Sequence, residues 1–314
     1  MTYRNVSIVM CTYNGKQFIR QQLDSIINQS YPVYELIVQD DCSTDGTTDI
    51  VKEYATRYSF IKLYINERNL GYNHNFLVAL LRATGDAIAI ADQDDIWHTD
   101  KIKKQIGKLN EGYSFVFHNS LLFEDNISQP ITRRHKDTPV ISELRLIMKP
   151  FIPGHECLFI KEALPLINQL YLQENKLAYA YIIAIACSTL GNICYLNEDL
   201  VYWRRHAGAA THITRKKADG AADGMIRSIR SLFDKEKKSI PARYFKAISI
   251  LEFKSPVAKK VVKQMQGSTA DICKACIACG THTEMFFKKK SIRNRIKALF
   301  TPLHLIREGR FLIK

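Results

Sequence analysis

Three carboxylates occupy four positions at Asp92-Gln93-Asp94-Asp95, directly after the apolar run Ala87-Ile88-Ala89-Ile90-Ala91. Packing does not select such a cluster, because like charges this close repel and raise one another's pKa unless a cation neutralises them. Hard oxygen donors of this kind suit Mg2+ or Mn2+, which bind through one or two carboxylates together with substrate phosphates. A second acidic strand ending, Asp40-Asp41-Cys42-Ser43-Thr44-Asp45-Gly46-Thr47, closes the run Glu35-Leu36-Ile37-Val38-Gln39. Two such endings in one half of the chain favour a site over a solvated acidic turn.

Those residues need elements that bring them together. Val6-Ser7-Ile8-Val9-Met10-Cys11 reads as a further strand, with Thr12-Tyr13-Asn14-Gly15 as its loop. Apolar residues at helical spacing follow two of the strands: Phe18, Leu23, Ile26 and Ile27, then Ile50, Val51, Tyr54 and Ala55. Alternation of strand and helix predicts an α/β fold with a mostly parallel central sheet and flanking helices. Ligands of open sheets bind outside the carboxyl ends of the strands. All three motif loops lie at such ends, so they are expected to converge on one crevice.

Ser7 to Gly15, Asp40 to Thr47 and Asp92-Gln93-Asp94-Asp95-Ile96-Trp97 together resemble glycosyltransferase family 2. Asn69-Leu70-Gly71 and Ala83-Thr84-Gly85-Asp86 punctuate them in the family's order. Tyr202-Trp203-Arg204-Arg205-His206 is similar to the tyrosine-arginine-x-histidine element of the rhamnosyltransferase-like branch, so the resemblance covers roughly residues 5–212. It implies a nucleotide-diphospho-sugar transferase fold of GT-A type and an inverting sugar transfer. Thr12, Tyr13, Asn14, Asp40, Asp41, Asp92, Gln93 and Asp94 would then bind the nucleotide sugar. Tyr13 would lie against the base, Asp41 would accept from it, and Asp92 and Asp94 would hold the Mn2+ or Mg2+. Asp95, Trp97, Gly154, Arg205 and His206 would face the acceptor. The same resemblance implies a dTDP- or UDP-linked donor and a saccharide or lipid-linked saccharide acceptor, in O-antigen or capsule assembly.

One departure concerns the proton. An inverting displacement needs a general base for the acceptor hydroxyl, and the branch places a carboxylate about twenty residues before the tyrosine-arginine element. Ala180 stands there, and no acidic residue lies between Asn175 and Asn197. Within Pro153-Gly154-His155-Glu156-Cys157 the candidates are Glu156 and His155, the imidazole titrating near neutrality. The alternative is a catalytically inactive nucleotide-sugar-binding or scaffold protein of a polysaccharide assembly complex.

Leu177 to Leu196 carries no charge over twenty residues, a membrane-spanning length. Ser188, Thr189, Gly191 and Asn192 interrupt it, and a buried helix followed by a strand is expected. Residues 215–314 hold 24 Lys or Arg against 8 Asp or Glu, so the whole net charge of +14 arises there. The expected organisation is a catalytic domain over 1–214 and a basic helical extension over 215–314, joined by Arg215-Lys216-Lys217-Ala218-Asp219-Gly220. Met225, Ile226, Ile229, Leu232 and Phe233 keep helical spacing around Arg227 and Arg230, and Phe286 to Phe300 mixes basic and apolar residues similarly. Such helices lie on anionic membranes, which predicts a cytoplasmic protein peripheral to the inner face of the cytoplasmic membrane. Packing on its own domain or on a second subunit, as a homodimer, is the other use of this tail. No nucleic acid is expected, since no binding module is present. Cys273, Cys276, Cys279 and His282 have metal-site spacing, but on a helix the three thiols share one buried face, and packing is the preferred reading. The other five cysteines are scattered, as in a reduced protein, and Met1 to Asn5 shows no signal peptide.

Overall fold

The computed structural model describes residues 2–124, 126–206, 208 and 221–312. Arg215 to Gly220, the expected joining segment, lies outside the described residues. The chain divides into two units, and the first comprises Met1–Pro139, Ile152–Asn168 and Leu190–His212.

The first unit contains a nine-stranded sheet. Strands β1 (Val6–Thr12), β2 (Glu35–Asp40), β3 (Ile61–Ile65) and β4 (Ala87–Ala91) run parallel in the order β3-β2-β1-β4. Strands β5 (Ile96–Trp97), β6 (Tyr113–Phe123), β7 (Thr132–Arg133), β8 (Cys157–Ile160) and β9 (Asn192–Arg204) extend it as β8-β6-β9-β5, with β7 on β6. β8 is antiparallel to β4 and β6, and β9 is parallel to β6. The parallel arrangement thus holds where strand and helix alternate, and the sheet becomes mixed where the alternation stops.

Helices α1 (Ile19–Ile27), α2 (Thr47–Arg57), α3 (Tyr72–Leu80) and α4 (Lys101–Asn110) follow β1, β2, β3 and β5. β1 and β4 are buried along their whole length, which explains their unbroken apolar runs. α1 buries Ile19, Gln22, Leu23 and Ile26 on one face, and α4 buries Ile102, Gln105, Ile106 and Leu109. At Gly85 an added Cβ would sit 2.6 Å from the Asn5 carbonyl oxygen, so the turn into β4 needs a residue without one.

At the amino ends of the strands, Glu35 is 1% exposed and ties three segments together. It accepts from Ser7 Oγ at 2.6 Å, from the Thr84 N–H at 2.7 Å and from Thr84 Oγ1 at 2.8 Å. Lys62 Nζ pairs with it at 2.6 Å. Burial alone would raise its pKa, but the Lys62, Ser7 and Thr84 donors outweigh burial and bring it to about 2.

The second unit comprises Val140–Phe151, Gln169–Thr189 and Ile213–Lys314, so two earlier segments cluster with the basic region. In chain order the remaining helices are α5 (Glu143–Met148), α6 (Leu164–Gln173), α7 (Tyr179–Leu190), α8 (Ala221–Ser231), α9 (Lys235–Ile248), α10 (Pro256–Gln264), α11 (Thr269–Thr281), α12 (Ile292–Leu299) and α13 (Thr301–Glu308). The uncharged stretch is α7 followed by β9, as its Ser, Thr, Gly and Asn residues imply. No helix among the described residues is long and apolar enough to cross a membrane. Cys276 and Cys279 are buried on α11 while Cys273 is exposed, and burial pushes the Cys276 thiol up to about 12. Among the described residues these thiols and His282 do not form a metal-ligand group.

Glu35 has a depressed folded-state pKa, so its contribution is present above pH 4.5 and is lost as pH falls toward 2. Glu35→Gln is expected to lower unfolding free energy by about 2 kcal/mol at pH 7. Urea unfolding across pH 2–7 checks this, and a deficit that does not shrink toward pH 2 would contradict it.

Candidate active site

The three motif loops meet at the carboxyl ends of β1, β2 and β4 through side chains that bond backbone groups of neighbouring loops. The Tyr13 N–H donates to Gln93 Oε1 at 2.9 Å, and Gln93 Nε2 donates back to the Tyr13 carbonyl at 3.0 Å. Asn14, at φ 47, donates its N–H to Ser43 Oγ at 2.8 Å and accepts the Thr44 N–H on Oδ1 at 2.9 Å. Thr12 Oγ1 donates to Asp40 Oδ2 at 2.6 Å. Asp40 also accepts from the N–H and hydroxyl of Ser43.

Asp41 is 2% exposed and accepts from Asn66 Nδ2 and the Leu70 N–H at 2.7 Å, and from the Gly71 N–H at 2.8 Å. Gly71 has φ 78, a backbone region costly for other residues, and it delivers that N–H. Both strand-end aspartates therefore anchor loops. Tyr13 presents its ring to solvent with 51% exposure.

The carboxylates after β4 are held from the far end of β9. Asp94 Oδ2 lies 2.8 Å from His206 Nε2. Arg204 donates its backbone N–H to Asp95 Oδ1 at 3.0 Å and its Nε–H to the Asp94 carbonyl at 2.9 Å. Its guanidinium also donates to Gln21 Oε1 and lies between the rings of Phe18 and Phe123, at 4.7 and 4.5 Å. Asp95 is wholly buried, and among the described residues its Oδ2 has no hydrogen-bond partner. Burial raises the Asp94 pKa, with Asp92 adding to it. Burial likewise pushes Asp95 well above the carboxylate range, against the lowering effect of His155 and with Asp94 and Asp92 adding to the rise.

Asp92 Oδ2 is 3.1 Å from His155 Nδ1, which stands 3.8 Å from Asp95 Oδ2. Among the described residues, Asp92, Asp95 and His155 form the group whose ligand atoms lie within 4.8 Å of one another. A buried carboxylate oxygen lacking a donor, beside a second carboxylate and an imidazole, fits a divalent cation. Asp94, expected with Asp92 on the metal, faces His206, which the sequence placed on the acceptor side.

Glu156 is fully buried and accepts from Ser120 Oγ at 2.8 Å. His135 Nε2 lies 3.1 Å from its Oε2, and Arg134 Nε 3.7 Å from its Oε1. Ser120 Oγ also lies 3.3 Å from His155 Nε2. Asp92, His155, Ser120, Glu156 and His135 thus form one hydrogen-bonded chain, and the helical turn Gly154–Glu156 supplies its centre. Burial lowers the His155 pKa, but Asp95, Asp92 and Glu156 outweigh it and raise the pKa overall. Trp97 is 3% exposed, its indole 3.8 Å from the wholly buried Lys101 ammonium, whose pKa burial lowers to about 7. Arg205 and Trp203 are half-buried beside His155 and Arg134. Sequence reasoning missed Ser120, His135 and Arg134, and it gave no role to Trp203 and Arg204, although both lie in the Tyr202–His206 element. Arg133-Arg134-His135-Lys136 reads as a solvated charge run, and Ser120 carries no local signal.

The profile of glycosyl transferase family 2 matches residues 7–167. The chain is 38% identical over 122 residues to the UDP-Glc:alpha-D-GlcNAc-diphosphoundecaprenol beta-1,3-glucosyltransferase WfgD of Escherichia coli, covering 38% of this chain and 47% of that protein. It is 35% identical over 123 residues to the dTDP-rhamnosyl transferase RfbG of Shigella flexneri, covering 38% and 40%. These matches span about half the length of the relatives or less. Among solved structures, a mannosyltransferase from Pyrobaculum calidifontis in complex with GDP-Man and Mn2+ superposes with a TM-score of 0.55 at 18% identity, covering 99% of this chain and 88% of that one. At that identity the likeness is one of fold.

Arg204→Met keeps the stem between the two phenyl rings but removes the donors to Asp94 and Gln21. It is expected to cost about 3 kcal/mol of stability, the scale for breaking a buried charged network. Chemical denaturation measures this, and an unchanged midpoint would contradict the role given to Arg204.

Proposed function

Because the chain belongs to glycosyl transferase family 2, we propose that it transfers a sugar, with inversion, from a dTDP- or UDP-linked donor to a saccharide or lipid-linked saccharide in cell-surface polysaccharide assembly. The observation that carries this is the aspartate cluster after β4, bonded through Gln93 to the loop that exposes Tyr13. The names of the relatives support the substrate classes, one using UDP-Glc with a diphosphoundecaprenol acceptor and one a dTDP-rhamnosyl donor.

Tyr13 stacks on the base, and Asp40 and Asp41 hold the loops that shape its pocket. Asp92 and Asp94, with Asp95 and His155 adjoining, would hold Mn2+ or Mg2+, which would offset negative charge on the leaving diphosphate. The acceptor oxygen attacks the anomeric carbon as the bond to the diphosphate breaks. His155 takes the hydroxyl proton, and Glu156, linked through Ser120, balances the imidazolium charge. Arg205 and His206 line the acceptor side, whereas Asp95 and Trp97, expected there from the sequence, are buried and do not face an acceptor.

Peripheral attachment to the inner face of the cytoplasmic membrane rests on α8. Ile226 and Ile229 of α8 and Phe233 in the turn that follows it are 49%, 44% and 76% exposed, while Ser228 and Ser231 turn inward. Arg227 and Arg230 flank that apolar stripe, the pattern of helices that lie on anionic bilayers.

A thermal-shift panel of UDP, dTDP, GDP and CDP, with and without Mn2+, is expected to give a metal-dependent rise for UDP or dTDP. Asp94→Ala should abolish it, and retained metal-dependent binding would overturn the donor-site assignment. Glu156→Gln is expected to lower turnover about 10²–10⁴-fold with nucleotide binding intact; turnover itself separates an enzyme from a nucleotide-binding scaffold. In sedimentation with phosphatidylglycerol vesicles, Phe233→Asp should reduce the bound fraction, and equal binding would remove α8 as the contact.

A further inference from the structure

Lys101, the first residue of α4, is wholly buried and takes no part in the proposed proton transfer. Its Nζ lies 3.8 Å from the centroid of the Trp97 ring and donates to Gln105 Oε1 at 2.9 Å. Gln105, one turn along the same helix, is also wholly buried. Its Nε2 donates to the Glu156 carbonyl at 2.9 Å and to the Val116 carbonyl of β6 at 3.1 Å. Every polar atom of this amide therefore has a fixed partner, with Oε1 on Lys101 and Nε2 on the two carbonyls. The turn it reaches, Gly154–Glu156, is short, and the bond from the Glu156 N–H to the Pro153 carbonyl is long at 3.4 Å. Gln105 is thus an outside tie on the turn that carries His155 and Glu156.

From this chain of contacts we infer that Lys101 is a positioning residue for the transfer. It orients the Gln105 amide, and the amide holds the turn that presents His155 to the acceptor hydroxyl. The role rests on the reading of His155 as the proton acceptor. Removing the Nζ donor leaves a buried Oε1 without a partner, and the amide then gains by turning away from the Glu156 carbonyl to find one. Small displacements of a reacting group slow the chemical step steeply. The loops expected to bind the nucleotide are held by separate bonds, through Gln93 and Asp41, so they keep their places. Burial lowers the Lys101 pKa to about 7, against Cys157, Glu156 and Asp95. Ammonium and amine both offer an N–H to Oε1, so the tie holds on either side of that value.

The test compares the full chain with Lys101→Met, Gln105→Leu and the pair together. Hydrogen exchange over residues 153–157 is read by mass spectrometry. It is expected to quicken about tenfold in each single variant and no further in the pair, because both changes break one tie. Turnover is measured with UDP-glucose and dTDP-rhamnose as donors and a short-chain prenyl-diphospho-GlcNAc as acceptor. In each single variant kcat should fall about 10–100-fold with the donor KM unchanged, again with no further fall in the pair. A packing role alone would lower stability without separating kcat from KM. Lys101→Gln, one atom shorter than lysine, carries the same expectation and replaces Lys101→Met if that variant does not fold. Wild-type exchange in a folded Lys101 variant, effects that add in the pair, or quicker exchange with unchanged kcat would each overturn the inference. Quicker exchange without wild-type turnover of either donor would uphold the tie and count against the transfer itself.

Discussion

Burying Asp94 and Asp95 side by side at the end of β4 is the constraint from which the rest of the first unit follows. Desolvation and mutual repulsion both work against two such carboxylates, and the chain meets that cost with groups drawn from β9. His206 is 112 residues from Asp94, and the Arg204 backbone N–H is 109 residues from Asp95. For these donors to arrive, β9 must keep its register on β6 through the irregular pairings at Phe117, Asn119 and Ser120. Arg204 then needs a fixed trajectory, which Phe18 on one side and Phe123 on the other provide.

The ends of β1 and β2 apply the same logic with lower stakes. Asp40 and Asp41 are buried, but each faces a ring of N–H or hydroxyl donors from its own loops. Charge-assisted bonds of this type rigidify loops before any ligand arrives, which reduces the ordering cost of binding. Gln93 extends the arrangement by bonding both backbone groups of Tyr13, which ties the loop after β1 to the carboxylate loop after β4.

The parts legible in the sequence are those with local signatures. Apolar runs gave β1, β2 and β4, helical spacing gave α1 and α2, and the motif loops were expected at carboxyl ends, where they converge. The mixed half of the sheet was illegible for a physical reason. β6, β8 and β9 are paired across long stretches of sequence, and no local periodicity encodes which strand joins which. The same holds for function within the site. The spacing of Asp92, Asp94 and Asp95 announces chemistry, yet their division among His155, His206 and Arg204 depends on strands arriving from elsewhere. Asp41 read as a group facing a base because its type and position suit one, but the donors of the 66–71 loop occupy its oxygens. α8 is the reverse case: its helical spacing was visible, while the side facing solvent, with Ile226 and Ile229 out and Ser231 in, depends on packing.

Proton handling and charge neutralisation are then one problem in this site. His155 owes its raised proton affinity to Asp95, Asp92 and Glu156. The raised proton affinity of the imidazole favours donation from Nδ1 to Asp92, 3.1 Å away. It becomes a proton acceptor to the extent that Asp92 and Asp95 are neutralised by another cation, because the field that holds its proton then weakens. Glu156 stays outside that exchange, since Ser120, His135 and Arg134 face it whatever Asp92 binds. Two carboxylates that can change partner and one that keeps its own give His155 two states of different basicity. On the proposed mechanism, a site with Ala180 where the family places a carboxylate draws its base from residues beside the aspartate cluster.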